Sequence, residues 1–305
     1  MPAELDSTGP CQRVVEAAAQ LPSYGGVTGW AALRWMGGVW FGGASGTGEL
    51  RDVSVAVSSG HRMRPRPGVR VSQEVVAPRN LMRCDGVRVT EPLWSVAYEM
   101  RKAVSDEAAV VAFDMAAFSD LVSVEELRAY VDTDLVARQG VERVRRVLPL
   151  LDENAWSPME PVMQMSWRQQ IPGLEVLMNR PVFDLRGTFV GTPDGIDDLA
   201  GVYVMYDGAL HLAGAVRHGD VAKEAAYRRV GLEGVVMMAG DLADRAPFEQ
   251  RLREAYARAA RRPASERRWS LETPAWWIDT TSVAARRALS AEQRRRLLAH
   301  RQRAA

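Results

Sequence analysis

The sequence has few of the residues that cross-link a protein or anchor it in a membrane. Its 305 residues include two cysteines, Cys11 and Cys84, which form neither a CxxC metal pattern nor a disulfide framework. No run of about 18 apolar residues is present, so no transmembrane helix is predicted. The first residues lack the basic and apolar regions of a secretory signal. We therefore expect a cytoplasmic protein without a membrane partner.

Lysine is almost absent as well, so positive charge comes from arginine. Lys102 and Lys223 are the only lysines, and the net charge is +1. This balance argues against very tight nonspecific binding to nucleic acid. The charge is uneven, however, because residues 251–305 hold fourteen arginines against five acidic residues. Such a segment is compatible with nucleic-acid binding and equally with a solvated helical surface.

The first half of the chain alternates short helical and extended patterns. Residues 12–36 contain two short helical stretches joined by a glycine turn, as in a helix-turn-helix or winged-helix unit. Residues 53–57 and 69–76 have the composition of strands. From residue 93 to about 150 the pattern is helical, and Ser123–Glu126 reads as a capping box.

The second half predicts an α/β sandwich around a mixed sheet. Helices are expected at 157–170, 215–230 and 241–262, and strands at 176–183, 188–192, 202–206 and 234–238. Alternation of helices and strands is typical of a sheet covered by helices. We place the domain boundary near Asp152. The predicted domains are residues 1–152, residues 153–262 and a basic, Trp-containing segment at 263–305.

Three short motifs in the second half occur in a characteristic order. They are Ser157-Pro158-Met159-Glu160, Pro193-Asp194 and Met205-Tyr206-Asp207-Gly208-Ala209-Leu210-His211. Together they resemble the PD-(D/E)XK nuclease core of very-short-patch repair endonucleases, over about 100 residues. The resemblance implies a restriction-endonuclease-like α/β sandwich that hydrolyses phosphodiesters, with Glu160, Asp194, Asp207 and His211 as catalytic residues.

The chemistry of such a site explains the residue types. Phosphodiester hydrolysis uses a metal ion to polarise the phosphate and to activate water, and Mg²⁺ prefers carboxylate and water oxygens. Asp194 and Asp207, at the ends of neighbouring strands, would bind the Mg²⁺ cofactor. His211 would act as a general base or hold the scissile phosphate.

One departure from the family pattern concerns the metal site directly. Met205 stands where the family has an acidic residue, and a thioether is a poor ligand for Mg²⁺. Either the site functions with Glu160, Asp194 and Asp207, or the domain has lost nuclease activity and only binds nucleic acid.

Each of these residues also has an ordinary structural interpretation. Glu160 fits a capping box in which it bonds the backbone of Ser157. Asp194 fits a turn after proline, and Asp207-Gly208 is a common turn pair. His211 alone is more typical of a satisfied surface or core histidine.

The N-terminal region resembles, through Val27–Leu33 and Arg88–Pro92, the winged-helix domain of AbiEi-type antitoxins. A helix-turn-helix places its second helix in the major groove of DNA, where Arg34 could read guanine. Arg62, Arg64 and Arg66 would then contact phosphates from a wing-like turn; an exposed loop is the alternative.

Three functional hypotheses follow from these observations. The first is an Mg²⁺-dependent endonuclease-like protein with an N-terminal DNA-binding module, in phage defence or mobile-element biology. The second is a transcriptional regulator or antitoxin-like protein whose nuclease fold is degenerate, which Met205 favours. The third is a globular protein that docks a partner through Trp269, Trp276 and Trp277.

Overall fold

A computed structural model describes residues 6–46, 48–208 and 214–302, with side chains described from residue 222 onward in the last range. Helices and mixed sheets alternate along the chain, which confirms the predicted α/β class. Among the described residues, no helix combines the length and the apolar composition that a membrane span needs.

The chain divides into two compact units. Unit 1 comprises Met1–Glu153 and Arg286–Ala305, and unit 2 comprises Asn154–Ala285. Unit 2 is therefore an insertion in the sequence of unit 1. We expected residues 263–305 to form a separate segment. They are instead divided between the units: those up to Ala285 belong to unit 2, and those from Arg286 onward belong to unit 1.

Unit 1 contains a mixed sheet and a set of helices. Its elements are α1 (Pro10–Ala18), β1 (Gly26–Thr28), α2 (Gly29–Trp35), β2 (Val53–Ala56), β3 (Val69–Ser72), β4 (Leu81–Cys84), β5 (Val87–Thr90), α3 (Pro92–Lys102), α4 (Asp106–Phe118), α5 (Val124–Thr133) and α6 (Val141–Val147). The strand order is β3-β2-β1-β5-β4, with β1 parallel to β5 and β2 parallel to β3. The predicted capping box of α5 is confirmed at Ser123 and Glu126.

Helix α2 begins where a glycine lets a carboxylate approach the backbone. Gly29 has a φ of +63°, and a Cβ atom there would overlap the carboxylate of Glu99. Glu99 Oε1 accepts from the backbone N–H of Trp30 at 2.9 Å, and its Oε2 accepts from Arg51 at 2.5 Å. The buried acid therefore satisfies a free N–H at the start of α2.

Unit 2 is built on a four-stranded sheet covered on both faces. Its elements are α7 (Met159–Gln170), β6 (Leu177–Met178), β7 (Val182–Asp184), β8 (Phe189–Gly191), β9 (Gly195–Asp197), β10 (Val202–Asp207), α8 (Gly214–Val230), β11 (Glu233–Met238), α9 (Ala246–Ala259) and β12 (Trp269–Ser270). The sheet order is β11-β10-β9-β6, with β10 parallel to β11 and antiparallel to β9. The predicted strand at 202–206 is confirmed as β10, which lies inside the sheet.

Alternate side chains of β10 enter two different cores. Val202 and Val204 pack with Met163 of α7 and Phe248 of α9. Tyr203 faces the other way and packs against Tyr227 of α8 and Trp269 of β12. Side chains that alternate between two cores in this way are typical of a strand buried on both faces.

The prediction of one strand at 176–183 is wrong, because the segment forms two strands in different sheets. β6 joins the four-stranded sheet, whereas β7 pairs with β8 and β12. Asn179 interrupts the segment with a φ of +47°, and Pro181 has no N–H to donate to a ladder. The turn between β7 and β8 is closed by the Gly187 N–H, which donates to the Asp184 carbonyl at 2.9 Å.

Three further helices follow β12. They are α10 (Val283–Arg287), α11 (Ala291–Leu297) and α12 (Ala299–Gln302). The first crosses the division between the units, and the other two belong to unit 1.

Candidate functional site

Helix α7 lies directly on strand β9 because that strand begins with glycine. A Cβ atom at Gly195 would lie 3.2 Å from Trp167 and 3.4 Å from Met163, so a larger residue would force these side chains to shift. The close approach brings Glu160, in the first turn of α7, near Asp194, which immediately precedes β9. We call Glu160 and Asp194 the carboxylate pair.

Glu160 is held inside unit 2 by two donors. Its Oε2 accepts from the backbone N–H of Trp156 at 2.7 Å and from Asn179 Nδ2 at 2.5 Å. The prediction that Glu160 bonds the backbone of Ser157 is therefore wrong, because the backbone N–H that it accepts from is that of Trp156. Burial, followed by the charge of Asp194, raises the pKa of Glu160 to about 8. At neutral pH the side chain is mostly protonated unless a cation neutralises the pair.

Asn179 connects the carboxylate of Glu160 to the backbone of Asp194, and sequence reasoning missed it. Its side chain donates to the Asn154 carbonyl at 2.8 Å and to Glu160, and its backbone N–H donates to the Asp194 carbonyl at 3.1 Å. Asparagine adopts left-handed backbone angles more easily than most residues. The sequence did contain one indication: Asn179 lies two residues before Pro181, a residue that interrupts strands.

Asp194 is fastened to the neighbouring strand. Its Oδ2 accepts from the backbone N–H of Tyr206 at 2.6 Å. The strands β9 and β10 pair as far as Gly195 and Val204, so the next residues along, Asp194 and Met205, lie opposite each other. Met205 therefore occupies the position from which an acidic residue of β10 would face Asp194.

The predicted metal ligands Asp194 and Asp207 do lie at the ends of neighbouring strands. Asp207 is exposed, however, whereas Asp194 is half-buried. The carboxyl group whose pKa responds to Asp194 is that of Glu160. His211, the predicted general base, lies outside the described residues. Among the predicted site residues, the one whose carboxyl group interacts with Asp194 is therefore Glu160.

Several buried polar atoms near the carboxylate pair have no partner within the described residues. These atoms are Nε2 and Oε1 of Gln164 and Oδ1 of Asn179. Gln164 lies one helical turn after Glu160, on the same side of α7. Buried polar groups without partners are rare in native proteins and often indicate a water molecule or an ion.

The hydroxyl of Tyr227 is a further buried atom of this kind. It lies against Gly191, where a Cβ atom would overlap it. Burial raises the pKa of Tyr227, and the charges of Tyr203 and Asp194 add to the effect. The hydroxyl therefore stays protonated and can act as a hydrogen-bond donor.

The available donors suit a hard divalent cation. Within the described residues, no three Asp, Glu, His or Cys side chains are grouped as a many-carboxylate metal centre would require. Mg²⁺, however, is commonly held by one or two carboxylates while it keeps several waters. Glu160 and Asp194 supply the carboxylates, and the unpartnered oxygens of Asn179 and Gln164 can accept from coordinated water. The residues present fit such an ion.

The predicted role of Arg34 in reading bases stays a prediction. Residues Gly29–Leu33 of α2 are all buried, whereas Arg34 and Trp35 at the end of this helix are half-buried. Trp30 donates from its indole to the Asp52 carbonyl at 2.9 Å, and Trp35 donates to the Cys84 carbonyl at 2.8 Å. Arg34 itself donates to the Val39 carbonyl at 3.2 Å, just beyond the end of the helix.

The predicted phosphate-binding turn is exposed. Arg62, Arg64 and Arg66 are exposed and follow one another at every second position between β2 and β3. Within the described part of the chain, no hydrogen bond or ion pair engages their guanidinium groups. We call residues 62–66 the arginine loop. Its side chains remain available for phosphate oxygens.

Part of the basic C-terminal segment has a structural role instead. Four arginines donate to groups around the end of α4: Arg286 to Asp120 and the Ala117 carbonyl, Arg287 to the Asp120 carbonyl, Arg294 to Asp120, and Arg301 to the Phe118 carbonyl. The Arg286 side chain is 0% exposed. These arginines hold the chain from residue 286 onward within unit 1, and their donors are engaged there.

Comparisons with models of protein families, with curated proteins and with solved structures found no match.

Proposed function

We propose that the protein binds nucleic acid, and that unit 2 binds a divalent cation at the carboxylate pair and hydrolyses phosphodiesters slowly. The observation that carries this proposal is the approach of Glu160 to Asp194 beside the end of the four-stranded sheet. A buried acid with a pKa near 8 beside a second carboxylate is typical of a functional site.

The order of elements supports the same proposal. The four-stranded sheet and its helices run in the order α7, β6, β9, β10, α8 and β11, with antiparallel strands before α8 and a parallel strand after it; the β7–β8 hairpin lies between β6 and β9. This is the arrangement that the resemblance to PD-(D/E)XK nucleases implies. In it, the acidic residues come from the first helix and from strand ends, as Glu160 and Asp194 do.

Each residue has a distinct task in the proposed site. Glu160 and Asp194 hold the cation, and Asn179 positions both through its side-chain and backbone donors. A bound Mg²⁺ would polarise a phosphate and lower the pKa of a water molecule. Because residue 205 is methionine and not an acid, β10 supplies no carboxylate opposite Asp194. We therefore expect slow hydrolysis.

The alternative is a nucleic-acid-binding regulator or antitoxin-like protein without catalysis. Met205 opposite Asp194 favours it, because two carboxylates hold a cation less firmly than three. The exposed arginine loop supports nucleic-acid binding under either proposal.

Calorimetric titration of Mg²⁺ and Mn²⁺, together with nicking of supercoiled plasmid, tests the proposal. Glu160→Gln and Asp194→Asn should lose cation binding and nicking, while the exposed Glu175→Gln serves as a matched control. Cation binding without cleavage of DNA or RNA would favour the regulator. Equal nicking by all four proteins would mean that the carboxylate pair is not the active site.

A further inference from the structure

Four aromatic side chains form an ordered array in unit 2, away from the carboxylate pair. Phe189 stacks on Trp277 with ring centroids 5.4 Å apart and planes inclined by 21°. Phe183 meets Trp276 and Trp277 edge-on, at 5.9 Å and 5.1 Å. The two tryptophans also meet edge-on, at 5.6 Å. We call Phe189, Trp276 and Trp277, supported from below by Phe183, the aromatic platform.

The platform is fixed in place and yet open to solvent. Phe183 is buried beneath it, whereas Trp276 is 61% exposed and Phe189 is 45% exposed. Ring contacts on several sides limit the motion of these side chains, so little conformational entropy remains to be lost on binding. Large exposed aromatic side chains held in this way are typical of a binding surface.

The size of the platform favours a small flat ligand over a second protein. Each aromatic side chain has roughly 150–250 Å² of surface, so the exposed parts of Trp276 and Phe189 amount to about 250 Å². A stable protein–protein interface needs about 800 Å² from each partner. One or two stacked nucleobases, in contrast, match an area of this size.

The hairpin that carries Phe189 also leads to the carboxylate pair. β7 begins three residues after Asn179, and β8 ends three residues before Asp194. Five residues separate Phe189 from Asp194, a distance of at most about 17 Å for extended chain. A nucleic-acid strand on the platform would therefore have its backbone within a few nucleotides of the carboxylate pair.

The charges beside the platform suit a phosphate backbone. Arg186 at the hairpin turn and Arg268 before β12 are exposed, and within the described residues no ion pair engages either guanidinium. Asp184, the acid in the same hairpin turn as Arg186, accepts from the backbone N–H groups of Arg186 and Thr188. Its charge is therefore partly satisfied, and the arginines remain available.

We propose that the aromatic platform stacks an unpaired base of single-stranded nucleic acid. The path toward the carboxylate pair rests on the proposed function, but the stacking itself does not require catalysis. Base–aromatic stacking contributes about 1–3 kcal/mol per base and tolerates any base. Duplex bases already stack on each other and lack a free face, so the platform discriminates against paired substrates.

Fluorescence of a single-stranded oligonucleotide containing 2-aminopurine tests the proposal in the presence of EDTA, where no cation supports cleavage. Stacking should quench the 2-aminopurine signal. Trp276→Ala and Phe189→Ala should each weaken single-strand binding by about tenfold and reduce the quenching. Leu199→Ala, which removes another exposed apolar side chain of unit 2, is the matched control and should bind like the native protein.

Unchanged quenching in both aromatic variants would overturn the proposal, as would equal losses for single strands and for the matching duplex. Light scattering that shows a dimer, dissociated by Trp276→Ala, would assign the platform to a second copy of the chain instead. Quenching that persists in a protein without nuclease activity would refute only the proposed hydrolysis, so the two failures are distinguishable.

Discussion

Asp194 lies close enough to Glu160 for its negative charge to raise the pKa of that buried carboxyl group. Two carboxylates in a partly desolvated place repel each other, and a proton or a cation must compensate. We therefore expect the stability of the folded protein to depend on pH through this site. This dependence can be measured without knowing the substrate.

We predict that unit 2 loses stability between about pH 5 and pH 8 because of Glu160. Its pKa is raised from an ordinary value of 4.5 to about 8 in the folded state. The contribution is thus complete below pH 4.5 and is lost progressively as the pH rises to about 8, by an amount on the order of 5 kcal/mol. Thermal unfolding at several pH values measures it.

Glu160→Gln should remove this part of the pH dependence, because the amide stays neutral and still accepts from Trp156 and Asn179. Glu175→Gln, at an exposed position, should leave the profile unchanged. Identical slopes for the native protein and Glu160→Gln would show that Glu160 ionises normally.

Sequence patterns predicted the fold of unit 2 well where the hydrophobic pattern was unambiguous. The short apolar run at 202–206 favoured a strand, and β10 lies in the middle of its sheet. The strand β9 was missed, because Gly195-Ile196-Asp197 has one apolar side chain. Its partners in the sheet, not its own composition, make it a strand.

The candidate site was only partly predictable, for a different reason. Glu160 and Asp194 could be identified by motif order, but their proximity depends on the close approach of α7 at Gly195, which no local pattern encodes. The role of Arg34 stays a prediction, because a short amphipathic helix has the same sequence pattern whether its tryptophans face a core or a groove. The contact of the Trp30 indole with the Asp52 carbonyl is visible only in the three-dimensional structure.

Met205→Glu should strengthen cation binding and increase cleavage. The new carboxylate would stand opposite Asp194, and a gain of only 1.4 kcal/mol raises the affinity tenfold. We therefore expect Mg²⁺ to bind at least about ten times more tightly and plasmid nicking to increase with it. Calorimetry and the nicking assay measure the two effects.

Met205→Gln is the matched control, since it adds a neutral oxygen of similar size without the charge. It should improve cation binding much less than Met205→Glu does. Robust cleavage by the native protein that Met205→Glu leaves unchanged would show that β10 does not contribute to the active site.

Asp120→Ala should destabilise unit 1 strongly. The carboxylate accepts from Arg286 and from Arg294, both at 2.6 Å, and the Arg286 side chain is completely buried. Its removal leaves a buried guanidinium without its carboxylate, a change that costs about 3–5 kcal/mol. Glu142→Ala breaks the exposed pair with Arg145 and should cost less than about 1 kcal/mol. Denaturant unfolding of both variants compares them, and equal losses would contradict the structural role of Asp120.

The arginine loop should give duplex DNA binding a measurable dependence on salt. Each phosphate that an arginine neutralises releases condensed counterions, so log K falls linearly with log salt. We expect the slope to decrease by about one for each contacting residue removed in Arg62→Ala, Arg64→Ala and Arg66→Ala. Titration of a labelled duplex at several salt concentrations measures these slopes. Arg128→Ala removes an exposed arginine of α5, away from the loop, and should leave the slope unchanged. If Arg128→Ala has the same effect as the loop variants, only the overall charge matters; if the duplex does not bind at low salt, the loop is not a DNA contact.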